Sequence, residues 1–150
     1  MYRLSSTWHL PASPEQVWAA VERVEGWPRW WVGMLAATTV RQAGPDGLGQ
    51  RVHLVVGSPL GHRLGFGVEI VEADPPHRAS ARVVGDLRGR GAWSVAPAIS
   101  GCVATILWHV TPARPLLRSP LLRRPATWAH GRVMAAGERG LVTHLTRSDS

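Results

Sequence analysis

ATWAHGRVMAAGERGLVTHL, residues 126–145, is the stretch on which the fold turns. Ala126, His130, Met134, Gly137, Leu141 and Leu145 recur at three- and four-residue steps, so they share one face of a helix. Arg132 and Arg139 fall on other faces. A helix of this length spans about 30 Å, enough to cross a small sheet. Pro112, Pro115, Pro120 and Pro125 precede it and are expected to break or kink the chain before Ala126. A long amphipathic helix needs an apolar surface to lie on, and the upstream sequence supplies one.

Working back from the helix, six segments read as strands: 36–42, 50–56, 64–73, 79–85, 89–96 and 103–111. Turn signals separate them: Gly44-Pro45-Asp46-Gly47, Ser58-Pro59-Leu60-Gly61, Asp74-Pro75-Pro76, Gly85-Asp86 and Ser100-Gly101. Connections this short favour antiparallel neighbours, because parallel pairing needs a long crossover. Glycines inside the strands, at 65, 67, 89 and 91, predict bulges and bends that curl the sheet. At the start of the chain, Tyr2, Leu4, Ser6, Trp8 and Leu10 alternate with Arg3, Ser5, Thr7 and His9, the pattern of a half-buried strand. Ser13, Pro14 and Gln16 then form a capping box with proline in the first helical turn. The helix they open carries Val17, Trp18, Val21 and Val24 and should stop at Gly26. Trp27-Pro28-Arg29-Trp30-Trp31 reads as a second short helix or turn bearing a dense aromatic patch. The order is strand, helix pair, six strands and long helix, an α+β arrangement of about seven antiparallel strands in one domain over residues 1–150.

Composition narrows the function classes. Eight tryptophans accompany a single tyrosine and a single phenylalanine, Tyr2 and Phe66. Tryptophan brings a large apolar area and one N–H donor, so these rings either line a wide cavity or fill a core. The lone cysteine, Cys102, excludes a scaffold stapled by internal disulfides. Met1-Tyr2-Arg3-Leu4-Ser5 lacks the pattern of a secretory leader, and no run approaches the ~18 apolar residues of a membrane span. A cytoplasmic location is the expectation. The net charge of +7 rests on seventeen arginines and no lysine. Those arginines are scattered, apart from the short cluster Arg118, Arg123 and Arg124, so no specific nucleic-acid partner is expected.

Five motifs, in this order, carry a resemblance. Ala12-Ser13-Pro14-Glu15-Gln16-Val17-Trp18 opens the first helix, and Trp27-Pro28-Arg29-Trp30-Trp31 follows. Gly85-Asp86-Leu87-Arg88-Gly89, with Gly91 and Trp93, marks one strand, and Trp108-His109-Val110 marks the last. Trp128-Ala129-His130, with Val133-Met134 and Gly137-Glu138, marks the long helix, where Ala129 stands in place of the usual Asn. Together these resemble the START-like superfamily, in its polyketide cyclase/dehydrase and lipid-transport branch (SRPBCC). The resemblance implies a helix-grip fold, in which a curved antiparallel sheet wraps the C-terminal helix with an apolar cavity between them. Members bind lipids, sterols, polyketides or plant hormones, and only some are catalysts, so the fold does not fix an activity.

The candidate residues follow from the helix face and the strand parity. His130 is in line with Met134, Gly137 and Leu141 and is expected to face the sheet, where a neutral imidazole can bond a ligand, move a proton or bond within the core. Glu69 shares a strand face with Gly65, Gly67 and Val71. If that face points inward it is a buried carboxylate with a raised pKa, a candidate general base; the outward reading is preferred. Trp30, Trp31, Phe66, Trp93, Trp108, His130 and Met134 are the candidate ligand-binding residues. Arg82, Asp86, Arg88 and Arg90 form a mixed-charge cluster, either an anchor for a ligand carboxylate or a surface network. Gly57-Ser58-Pro59-Leu60-Gly61 is a candidate loop at a cavity mouth. No phosphate loop, nucleophile elbow or metal-ligand spacing is present, so no cofactor or metal is expected.

Three functions follow as expectations. The first is binding of a small hydrophobic molecule, a lipid, polyketide or other aromatic or isoprenoid compound, between sheet and helix. The second is a polyketide cyclase or dehydratase that uses His130 as acid/base. The third is an interaction module working through its basic surface.

Overall fold

The protein is described here by a computed structural model covering residues 2–46 and 48–148. Met1, Gly47 of the expected Gly44–Gly47 turn, and residues 149–150 of the chain end lie outside the described residues. Strand β1 (Tyr2–Leu10) leads into helix α1 (Pro14–Glu22), a 3-10 turn (Val24–Gly26) and the short helix α2 (Trp27–Trp30). Six strands follow: β2 (Met34–Arg41), β3 (Arg51–Gly57), β4 (Arg63–Asp74), β5 (Arg78–Gly85), β6 (Leu87–Ala98) and β7 (Gly101–Pro112). Two 3-10 turns, Pro115–Arg118 and Pro120–Leu122, connect to the long helix α3 (Arg123–Ser148).

The sheet has seven strands in the order β1-β7-β6-β5-β4-β3-β2, every pair antiparallel. Consecutive strands from β2 to β7 meet through short hairpins. The one long-range pairing is β1 on β7, with Leu4 opposite Trp108 and Trp8 opposite Ala104. Register shifts in β2 and β4 mark bulges that bend the sheet. Alternation then sends Leu54, Phe66, Val83, Val95, Ile106 and Val110 to one buried face. Helix α3 lies over that face.

The helices are set by local chemistry. Ser13 accepts a hydrogen bond from the Gln16 backbone N–H, and the Gln16 side chain accepts one from the Ser13 N–H at 2.9 Å, so the capping box closes. Helix α1 ends at Glu22 rather than Gly26, because Val24–Gly26 tightens into a 3-10 turn that feeds α2. Helix α3 starts three residues earlier than the prolines suggest, at Arg123, and continues to Ser148. Pro125 falls within the first turn, where its missing N–H costs no intrahelical bond.

What seats α3 is a pair of glycines. A β-carbon on Gly137 would lie 2.6 Å from Cε2 of Trp31 and 2.8 Å from Cζ2 of Trp8. One on Gly140 would collide with the backbone carbonyl of Trp30. Helix backbone and aromatic turn therefore touch directly. Trp30 and Trp31 stack with ring centroids 5.7 Å apart, and Trp8 meets Trp31 edge-on at 5.4 Å. The Trp31 indole N–H donates to the Val133 carbonyl at 2.9 Å, fastening α2 to α3.

Gly131 has nothing within 4 Å of an added β-carbon. Alanine is about 1 kcal/mol better than glycine inside a helix, whereas overpacking costs about 1–3 kcal/mol or more. Urea denaturation should therefore show opposite signs. Gly131→Ala should gain up to about 1 kcal/mol, and Gly137→Ala and Gly140→Ala should each lose about 2 kcal/mol or fail to fold. A stabilising Gly140→Ala would contradict the packing described.

Candidate ligand-binding site

Between the sheet and α3 the chain does not close completely. A cavity of about 400 Å³ remains, walled by Leu54, Phe66 and Trp108 from the sheet and by Ala129, Val133 and Met134 from α3. Its polar side chains are few: Tyr2, Ser58, His62 and His130. A second chamber of about 290 Å³ lies beside it, lined by Trp8, Trp18, Trp30 and Trp93, with Glu22, Gln50 and Ser80 as polar groups. Trp27, Trp31, Leu54, Trp108 and Met134 border both chambers. Both volumes are in or near the range of about 300–1,000 Å³ common to small-molecule sites.

Three buried polar atoms have no hydrogen-bond partner among the described residues: Nε2 of His130, Nε1 of Trp8 and Nε1 of Trp93. Buried polar atoms are normally satisfied, and each exception asks for a reason. All three belong to side chains that line a chamber. Burial pulls the His130 imidazole down to a pKa of about 4. Near neutral pH it is uncharged, with one ring nitrogen a donor and the other an acceptor.

Among the described residues, Leu60 is the one exposed member of the larger chamber's lining, which puts the mouth at the β3–β4 hairpin, between two segments. On one side the β3–β4 hairpin contributes Ser58, Leu60 and His62. Its tip is fixed by bonds from the Gly61 N–H to the Ser58 carbonyl and from the Leu60 N–H to Ser58 Oγ. On the other side stand Leu122, Pro125 and Ala126, where the chain enters α3.

The family model for polyketide cyclase / dehydrase and lipid transport matches residues 1–146. The chain belongs to that family. Solved structures share the fold at low identity. A Thermus thermophilus protein is 20% identical, with 99% of this chain and 100% of that one covered and a TM-score of 0.86. A START superfamily protein of Mycobacterium smegmatis is 16% identical over 98% and 99% of the two chains, with a TM-score of 0.78. An aromatase/cyclase of Streptomyces sp. R1128 is 15% identical over 99% and 96%, also at 0.78. No curated protein matches this chain.

In this family member every residue named from the sequence as a ligand contact borders a chamber. Phe66 and His130 line the larger one, Trp30 and Trp93 the smaller, and Trp31, Trp108 and Met134 both. Strand parity also exposes others that sequence reasoning passed over. Tyr2 and Leu4 line the larger chamber and Trp8 the smaller, all from the inward face of β1. Val133 was legible in the same way, one step from Met134 on the buried face of α3.

Glu69 lies on the outward face, the side preferred from the sequence, and the alternative of a buried general base falls. Phe66 and Val68 point inward, so Glu69, at odd parity on the same strand, points outward. It is cross-strand to Arg51 and Arg82 and pairs with both, at 3.3 and 2.6 Å. The hydrogen bond from Arg82, more than any other influence, holds its carboxyl below the usual range. A general base for chemistry in the cavity needs the opposite location and the opposite shift. Arg88 and Arg90 are exposed on the outer face as well. Asp86 accepts a hydrogen bond from the Gly65 N–H at 2.9 Å, bracing the β4–β5 end. None of this charge cluster lines a chamber. Cys102 is buried and its thiol is pushed up, chiefly by desolvation.

The His130 shift makes stability depend on pH with a definite sign. The unfolded imidazole binds its proton near pH 6.5, the folded one only near pH 4. Stability is therefore full above pH 6.5 and falls as the pH drops from 6.5 toward 4. The gap corresponds to about 3 kcal/mol. Urea midpoints measured across this window should decline in the wild type and flatten in His130→Gln. Equal slopes would show that His130 is not held neutral by burial.

Proposed function

We propose that the protein binds a small, largely apolar molecule in the cavity between its sheet and α3. One observation carries this reading: an apolar space of about 400 Å³ with a single buried imidazole atom unpartnered in its wall. Removing ligand surface from water supplies the affinity, at roughly 25 cal/mol per Å² of apolar area. His130 supplies orientation. A ligand oxygen or hydroxyl that meets Nε2 contributes about 1 kcal/mol net, and it relieves an atom that is otherwise buried unsatisfied. Lipids, polyketides and other aromatic or isoprenoid molecules all fit this chemistry.

A cyclase or dehydratase acting through His130 fits less well. Acid/base catalysis is most efficient when the pKa lies near the working pH, and the His130 pKa is about 4. Such a base is weak, and its acid form is scarce at neutral pH. Binding is the preferred reading.

A cavity-filling variant gives the sharpest test. Ala126 lines the larger chamber and is only partly buried, so Ala126→Trp should fill the space with little disturbance to the sheet. Tryptophan fluorescence titrated with a long-chain fatty acid and with a flat polyphenol should saturate in the wild type and fail in Ala126→Trp. His130→Ala should weaken the ligand that reaches Nε2 by about fivefold, the equivalent of one hydrogen bond. Turnover of a polyketide chain that His130→Ala abolishes while binding survives would favour the enzyme instead. Unchanged titration in Ala126→Trp would overturn the site.

A further inference from the structure

The connection between β7 and α3 carries a surface that the cavity does not use. From Ala113 to Gly137 the chain has Arg114, Arg118, Arg123, Arg124 and Arg132 and no acidic residue. All five arginines are exposed, and none is paired with a carboxylate among the described residues. On the middle strands, by contrast, some arginines are compensated. Arg51 and Arg82 share Glu69, and Arg78 pairs with Asp74. The β7–α3 connection and the first turns of α3 thus carry five arginines with no acidic residue among them in sequence.

Large apolar side chains are exposed in the same place. Leu121 is 88% exposed and Trp128 is 55% exposed. Arg124, Trp128 and Arg132 are spaced four residues apart, so they line one face of α3. The Arg132 guanidinium lies over the Trp128 ring at 5.9 Å. Ala126, Ala129, His130 and Val133, on the opposite face, line the cavity. The connection is held in shape from within: Arg118 Nε donates to the Pro112 carbonyl at 2.8 Å and Nη2 to the Ala113 carbonyl at 3.0 Å. Leu121 points out while its neighbour Leu122 lines the mouth. Across the mouth, Leu60 and Arg63 are also exposed.

We infer that this face docks on an anionic lipid bilayer and sets the mouth of the larger chamber against it. Arginines with apolar stems beside an exposed leucine and a tryptophan are the composition of an interfacial segment, charged heads at the phosphates and apolar groups below them. A duplex nucleic acid would engage the arginines but offers nothing to Leu121. A second copy of the chain would bring five unpaired arginines against five more. The inference concerns the outer surface, and depends on the binding reading only for what would pass through the mouth.

Co-sedimentation with vesicles tests it. The wild type should bind vesicles of phosphatidylcholine mixed with an equal amount of phosphatidylglycerol. It should bind pure phosphatidylcholine far less, and added salt should release it. Each basic residue near an anionic surface is worth about a fivefold change in affinity. The double variant Arg124→Gln/Arg132→Gln should therefore bind about twenty-fivefold more weakly. Leu121→Ser, which leaves the charge intact, should cost about tenfold. All these positions are exposed, so both variants should keep the wild-type melting curve and the wild-type fatty-acid titration. Loss of vesicle binding with that titration intact supports the inference separately from the cavity. No preference for phosphatidylglycerol, undiminished binding by the variants, or salt-dependent binding to duplex DNA in place of vesicles would overturn it.

Discussion

The structure depends on backbone contact between α3 and the aromatic turn of α2. Gly137 and Gly140 have no side chain to hold the two apart, and Trp8, Trp30 and Trp31 fill the space against them. That contact fixes where α3 rests on the sheet. Beyond it, toward the start of the helix, α3 turns Ala126 and Ala129 to the space, with His130, Val133 and Met134 at its wall. The helix is thus tightly seated along its middle and stands over open space nearer its N-terminal end. The cavity follows from that difference. It is the space left where α3, held against the α2 turn and Trp8 at its middle, passes over the inner face of the sheet.

The same geometry explains the chemistry of the site. Residues on the sheet's inner face are apolar by strand parity, so few polar groups reach the cavity. His130 does so because it sits four residues before Met134 on the buried face of α3. Surrounded by apolar walls, it stays neutral, suited to one directed hydrogen bond rather than to carrying charge. The charged residues are sorted to the outside. Those around Glu69 neutralise one another in cross-strand pairs, whereas those near the cavity mouth do not.

Much of this was legible in the sequence because the governing signals are local. The alternation in Tyr2–Leu10, the Ser13 capping box and the three- and four-residue spacing after Ala126 each report a single element. The side of Glu69 was also recoverable, since it has opposite parity to Phe66, and the only phenylalanine of the chain is a natural core residue. Other features depend on residues distant in the chain. The role of Gly140 is defined by the Trp30 carbonyl, 110 positions away, and nothing near Gly140 announces it. The start of α3 was obscured by Pro125, a residue that breaks helices in their interior but not in their first turn. The smaller chamber arises only when β1, α1 and the middle strands converge.

The central claim is that the space under α3 is a binding cavity rather than a packing fault. Met34 and Met134 both line it, and their methyl groups are sharp reporters for nuclear magnetic resonance. In protein labelled with carbon-13 at the methionine methyls, a saturating fatty acid should shift the Met34 and Met134 resonances. It should also give direct magnetisation transfer between those methyls and the ligand chain. Saturable binding that leaves both resonances unmoved would place the ligand elsewhere and contradict the account.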